Sequence, residues 1–162
     1  MIKIDNKSIF TDNQVRKMVN FAMHPYVKIA LEKAKLKINI VVRTGDCATG
    51  SISGMGRNEI MIYLQVADKT WKYPHHEKVG QKDISAGGTQ DYIPTLVLSR
   101  EEHLVHCAAH ELFHIAQYIY HKIAPHETNF EDEVWSDKYA DKYAIKIQRQ
   151  WRKLNNTPVY PL

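Results

Sequence analysis

Residues 110–114 read His-Glu-Leu-Phe-His, and this is the segment of the chain whose residue types and spacing point most directly to chemistry. On a helix, His110 and His114 are four apart, so both imidazoles leave the same face one turn apart. Two ring nitrogens so placed can reach a single zinc ion at about 2.0–2.1 Å each. Glu111 lies on the adjoining flank, close enough to touch a water on the metal without occupying the metal itself. That is the position of a general base acting on a water whose pKa the ion has lowered. With 9 histidines in the chain, the bland alternative is a buried helix with satisfied imidazoles.

The neighbours favour the metal. Ala108, Ala109, Leu112, Ile115, Ala116 and Ile119 make this helix apolar nearly all round, so it is expected in the core. Two imidazoles and a carboxylate buried there need partners. His106, one turn earlier, is expected as a polar neighbour of the site. Cys107 is expected as a small buried hydrophobe rather than a nucleophile.

A catalytic zinc usually has three protein ligands and one position left for water. The last helix offers the third on an inward stripe of Glu133, Asp137, Ala140, Ala144, Ile147 and Trp151. Glu133 is expected as the third ligand, against the alternative of a first-turn acid favoured by the helix dipole. Asp137, one turn on, is expected behind the ligands, accepting a hydrogen bond from the second nitrogen of His110 or His114.

The elements that must position these groups follow from the pattern along the chain. Residues 12–36 read as helical, with Val15, Met18, Val19, Ala22, Ile29 and Leu36 at helical spacing and a break at Pro25. Residues 38–98 read as sheet and loops. Strands are expected at Ile38–Val42, Glu59–Val66 and Ile93–Leu98, with loops over 45–56 and 67–91. Within the second loop, His75 and His76 are expected as a solvated pair. Ser99-Arg-Glu-Glu102 is a capping box opening the active-site helix, 99–121. Thr128-Asn-Phe-Glu131 opens the glutamate helix, 129–154. The tail 155–162 is an extended terminus, either packed across the sheet or laid in the cleft. The order predicts a single α+β domain over 1–162.

Composition narrows the function classes. The chain has 162 residues, 44% hydrophobic and 25% charged, with 22 Lys+Arg against 18 Asp+Glu and a net charge of +4. Such a chain can bury a core, and its mild basicity permits an anionic partner without demanding one. The basic stretch Lys142–Lys153 raises nucleic acid as a partner through Arg149 and Arg152. A solvated helix face is the favoured reading. Two cysteines, Cys47 and Cys107, make no disulfide framework. No apolar run approaches the roughly 18 residues of a membrane span, and the start of the chain lacks a secretion signal. A cytoplasmic protein without a membrane partner is expected.

His110-Glu111-x-x-His114, Glu133 after 18 intervening residues, and Asp137 four positions on resemble the gluzincin metallopeptidases. The segment Glu133-Val-Trp-Ser-Asp137-Lys-Tyr-Ala140 is also similar to small bacterial and phage-related gluzincins, including the repressor-cleaving type. The resemblance covers roughly residues 95–150. It implies a minimal zincin-like domain, with a small, mostly antiparallel sheet packed on the active-site helix and the glutamate helix. It also implies one zinc per chain and peptide hydrolysis, with the sheet's edge strand binding an extended peptide or protein substrate by β-augmentation. Ile93–Leu98 is the candidate edge strand. No large C-terminal helical domain follows, so the transition-state donor must come from elsewhere; Tyr118, His121, His126, Tyr139 and Tyr143 are the candidates. The rival reading is a zinc-containing binding or regulatory module that cleaves nothing.

Overall fold

Ile38, Ile40 and Val42 alternate with exposed or half-exposed residues along one strand, and Ile60, Ile62, Leu64 and Val66 do the same along its neighbour. Period-two burial of β-branched and leucine side chains gives a sheet one apolar face to bury. The computed structural model describes residues 1–33, 36–56, 59–79, 93–121 and 137–155; at 53–56, 77–79, 93–94, 121 and 137–138 only the backbone is described.

The elements are β1 (Ile2–Lys7), α1 (Asp12–Ala22), α2 (Pro25–Glu32), β2 (Lys37–Gly45), β3 (Thr49–Gly56), β4 (Glu59–Ala67), β5 (His75–Val79), β6 (Ile93–Val97), α3 (Arg100–His121) and α4 (Asp137–Leu154). The fold is α+β. Four strands form one sheet in the order β1-β2-β4-β3, and β5 and β6 form a separate two-stranded ribbon. Val15, Met18 and Val19 of α1 and Leu104, Ala108, Leu112 and Ile115 of α3 share one core with the inward residues of β2 and β4. Among the described residues, no helix is long and apolar enough to cross a membrane.

The sheet departs from the mostly antiparallel one expected. β1 runs parallel to β2 with Ile2 opposite Ile38, and β2 runs parallel to β4 with Ile38 opposite Ile60. Only β3 is antiparallel, pairing with β4 with Gly50 opposite Leu64. The connections explain this. Parallel neighbours need a crossover; α1 and α2 supply one between β1 and β2. β3 folds back along the sheet's edge, so the chain re-enters as β4 beside β2 in the same direction.

Three segments depart from the sequence expectation. No strand is expected over 2–7, yet β1 forms there with the burial pattern of an edge strand that has one face on the core. Residues 45–56 were expected as loop but carry β3, whose Thr-Gly-Ser-Ile-Ser-Gly composition has little apolar signal. Residues 67–91 were expected as loop, yet 75–79 form β5, paired with β6. Ile93–Leu98, the expected edge strand of the main sheet, is instead a member of that ribbon. Ile29 also misses, being 46% exposed while Val27 is fully buried, because the break before Pro25 resets the helical phase.

The break itself is built by His24. It caps α2, with Pro25 in the first helical turn, and its Nδ1 accepts a hydrogen bond from the Tyr26 N–H at 3.3 Å. Its ring packs on Phe113 and Tyr143. Burial lowers its pKa below the ordinary 6.5. The unfolded chain therefore takes up a proton near 6.5 that the folded chain refuses until lower pH. This contribution is intact above 6.5 and is lost as pH falls through the folded value. Protonation also removes the cap's acceptor. Chemical denaturation of His24→Asn, which keeps a capping oxygen, should show a shallower loss of stability than the parent as pH falls below about 6.5.

Candidate metal centre

α3 is a core helix. Ala108, Ala109, Leu112, Ile115 and Ala116 are all at most 3% exposed. Its polar residues face α4, β3 and the 71–75 segment, where His103 meets Tyr73 and His75. Glu102, His103, His106, Glu111 and Gln117 are buried, and His110 is about one-fifth exposed.

α3 and α4 pack antiparallel, and their seam is laced with polar pairs. Glu102 Oε1 accepts from Arg152 Nε at 2.6 Å, and its other oxygen accepts from the Leu98 N–H. Ser99 caps the helix by accepting from the Glu102 N–H at 3.2 Å. The expected capping box is thus half formed, its glutamate reaching one residue further back. One turn on, His106 Nδ1 meets Gln148 Oε1 at 2.9 Å. Another turn on, His110 Nδ1 meets Asp141 Oδ1 at 2.9 Å.

His110 and His114 converge as their spacing requires. Their rings stand edge to face at 74° with centroids 4.8 Å apart, and the two Nε2 atoms are 3.1 Å from each other. Both rings are held from behind. A carboxylate can only accept, so His110 Nδ1 donates to Asp141; His114 Nδ1 donates to Gln117 Oε1 at 2.9 Å. With both Nδ1 atoms protonated, both Nε2 atoms present lone pairs toward one point. That arrangement suits a shared proton or a cation between the two nitrogens, which stand 3.1 Å apart. Two nitrogens on one tetrahedral zinc stand about 3.3 Å apart by the usual bond lengths, so the pair has the spacing of a zinc chelate.

Glu111 stands against β3. It is 7% exposed, and position 50 of β3 passes so close that a methyl group there would lie 2.7 Å from Oε1 and 2.8 Å from Cγ of Glu111. Glycine is required at that crossing by proximity. The buried carboxylate is thereby confined between the helix and the sheet's edge strand, beside the histidine pair.

The other sequence-predicted residues fall out as follows. Glu133 lies outside the described residues, and Asp137 opens α4 with its backbone alone described. The role expected of Asp137 is filled elsewhere: Asp141 holds His110, and Gln117 holds His114. Asp141 was missed because residues 137–140 and 141–144 both read Asp-Lys-Tyr-Ala, leaving two registers one turn apart. Among the residues whose side chains are described, no three His, Cys, Asp or Glu groups converge to hold a metal ion. The second carboxylate oxygen of Asp141 is buried, with no hydrogen-bond partner among the described residues.

His106 sits in the seam as a polar neighbour, and Cys107 is buried, as expected. His75 is not solvated; its ring packs on Trp71 at 4.8 Å and on His103 at 5.8 Å, while His76 is exposed. Of the candidate transition-state donors, Tyr139 is 47% exposed, and Tyr118 packs on the core. Tyr143 lies against Phe113, and burial pushes its hydroxyl up to about 12. The side chains of His121 and His126 are outside those described.

The arrangement can hold one divalent cation on two preset imidazoles and place a carboxylate beside it. Removing the negative charge behind His110 weakens such a site, because the carboxylate raises the ring's basicity and fixes its tautomer. Asp141→Asn should lower zinc affinity about 10- to 100-fold in a chelator-competition titration. No family model matches the chain, and comparison with curated proteins and with solved structures returned no match.

Proposed function

We propose that the chain is a zinc-dependent peptidase in which His110 and His114 hold the ion and Glu111 is the general base. The observation that carries this reading is the pair of Nε2 atoms facing each other at 3.1 Å, each ring locked from behind by an oxygen. A shared proton would satisfy the two nitrogens alone. It gives no reason for a buried carboxylate at the next position on the helix, wedged under a glycine of the edge strand.

When bound, zinc polarises the scissile carbonyl and lowers the pKa of water toward 7. The chain's own residues do the rest. Glu111 takes a proton from the attacking water and returns it to the leaving amine. Asp141 and Gln117 keep the two imidazoles in the tautomer that offers Nε2. Burial of α3 keeps competing water away from the carboxylate.

The α+β fold is read as a minimal zincin-like domain. Its substrate edge is β3 rather than β6, since β3 is the sheet's outer antiparallel strand and lies over Glu111. An extended peptide added to β3 would gain main-chain hydrogen bonds there and pass its scissile bond near the base. The third ligand comes from the side of α4, and Glu133 is the sequence's candidate. With Cys47 and Cys107 both thiols, a cytoplasmic location suits the reading. The nucleic-acid alternative loses one of its two arginines, because Arg152 is engaged with Glu102.

Metal analysis of tag-free protein, purified without added metal or chelator, tests the site. About one zinc per chain, with peptide-library cleavage that a chelator stops, is the expected result. Zinc without cleavage would return the binding module. No zinc, and none taken up on titration, would leave a proton-sharing histidine pair in a core helix.

A further inference from the structure

The outer face of α4 carries a stripe of cations that the metal centre does not use. Lys142, Lys146, Arg149 and Lys153 are all exposed, at steps of four, three and four. Such steps keep the four within about 60° of one another around the helix and spread them over about 16 Å of its length. Ala144, Gln148 and Trp151, on the opposite side, are buried. Arg152 belongs to the seam with Glu102 and is not part of the stripe. Among the described residues none of the four pairs with a carboxylate, and Lys142 lies over the ring of Tyr139 at 5.8 Å. An open groove of about 450 Å³ follows the stripe, lined among the described residues by Lys142, Ile145, Lys146, Arg149, Gln150 and Lys153. The helix dipole favours cations in the last turn, which accounts for Lys153 but not for Lys142 or Lys146. Like charges at these steps repel one another, and an anion laid along the stripe relieves that repulsion.

At its N-terminal end the stripe runs into aromatic surface. Tyr143, the residue after Lys142, packs on His24, and His24 packs on Tyr26. Tyr26 in turn stacks on Tyr120, with centroids 5.6 Å apart and planes 20° apart. Tyr26 is 47% exposed, Tyr120 65% and Tyr139 47%, three of the four exposed tyrosines among the described residues. Two tyrosines stacked in the open present a ring face on which a further flat ring can stack. We propose that this surface binds single-stranded nucleic acid, with its phosphates tracked by Lys142, Lys146, Arg149 and Lys153 and its bases stacked on the Tyr26–Tyr120 pair. A stripe of cations alone serves any polyanion. The tyrosines select the single strand, because the bases of a duplex are already stacked on one another, and a run of carboxylates has no flat face to lay on a ring. The stripe lies on the side of α4 away from α3, so it stands apart from the histidine pair and does not rest on the zinc reading.

The test uses the full chain and the fluorescence anisotropy of a labelled oligothymidylate of about fifteen nucleotides, read over a series of salt concentrations. The parent should bind it, with log affinity falling by roughly 2–3 per decade of salt, as about three or four phosphate contacts require. Lys146→Gln combined with Arg149→Gln should weaken binding about tenfold or more and flatten that slope by about 1.4. Lys69→Gln combined with Lys72→Gln removes the same charge from exposed positions elsewhere and should leave affinity within about twofold. Tyr26→Ala and Tyr120→Ala should each weaken binding about fivefold or more and leave the slope unchanged. Circular dichroism of every variant should match the parent, since each change is on the surface. No binding by the parent at low salt, or equal weakening by the Lys69 and Lys72 pair, overturns the site. A duplex of the same length bound as tightly, with both tyrosine variants indistinguishable from the parent, overturns the single-strand assignment. Stronger binding, per accessible charge, to phosphatidylserine vesicles overturns it in favour of a membrane surface. None of these readouts involves zinc or cleavage.

Discussion

Glu111→Gln should bind zinc nearly as tightly as the parent and lose turnover by about a hundred- to ten-thousandfold, the usual weight of a positioned general base. The amide keeps the shape and burial of the carboxylate, so the histidine pair and the helix are undisturbed. What disappears is the capacity to accept a proton from water and hand it on. Gly50→Ala approaches the same result from the other side. The added methyl meets Cγ as well as Oε1 of Glu111, so swinging the carboxylate tip aside does not relieve the clash. Its activity should fall while chelator competition still reads a parent-like metal site. Metal affinity and initial cleavage rate, measured on the same preparations, check both variants; full activity in Glu111→Gln would refute the mechanism.

The largest effect on stability is expected at the opposite end of the helix pair. Glu102 is 2% exposed and Arg152 14%, and the arginine also donates to Leu96 O at 2.7 Å. Arg152→Ala leaves a buried carboxylate without its counter-charge and should cost about 3–5 kcal/mol. For a chain of this size that is a fall in Tm of roughly 6–20 °C. Pairing Glu102→Gln with Arg152→Met removes both charges, and the amide oxygen can still accept from the Leu98 N–H. Thermal denaturation should place the double variant well above the single one. If it falls equally far, the loss comes from packing of the arginine's stem rather than from the stranded charge.

The reach of sequence reading differs between the helices and the rest. The start of α3 was legible because Ser99 opens it and apolar residues surround its described length. The inward stripe Ala140, Ala144, Ile147 and Trp151 of α4 is buried as its spacing requires. The histidine pair was legible because two residues four apart on a helix have little freedom in how they meet. Strand pairing was less so. Among its described side chains β3 has one buried or half-buried apolar group to advertise it, Ile52, and it is held by its backbone against β4. Arg152 read as part of a solvated basic face, since nothing in its own segment reveals a glutamate fifty positions away. Lys142, Lys146, Arg149 and Lys153 do remain exposed there. The residue behind His110 went unread for a different reason: two identical tetrads one turn apart differ only in which lies opposite the histidine, a fact of interhelical register.

That register also bears on how such a centre would be filled and emptied. Three polar pairs hold α3 and α4 in line, and Asp141 and Gln117 aim the imidazoles, all through contacts of the chain with itself. The ordering entropy of the two histidines is therefore met during folding and not at capture. Loading and stripping then become exchange reactions of a standing framework, unlike those of small domains whose chain collapses only around its metal.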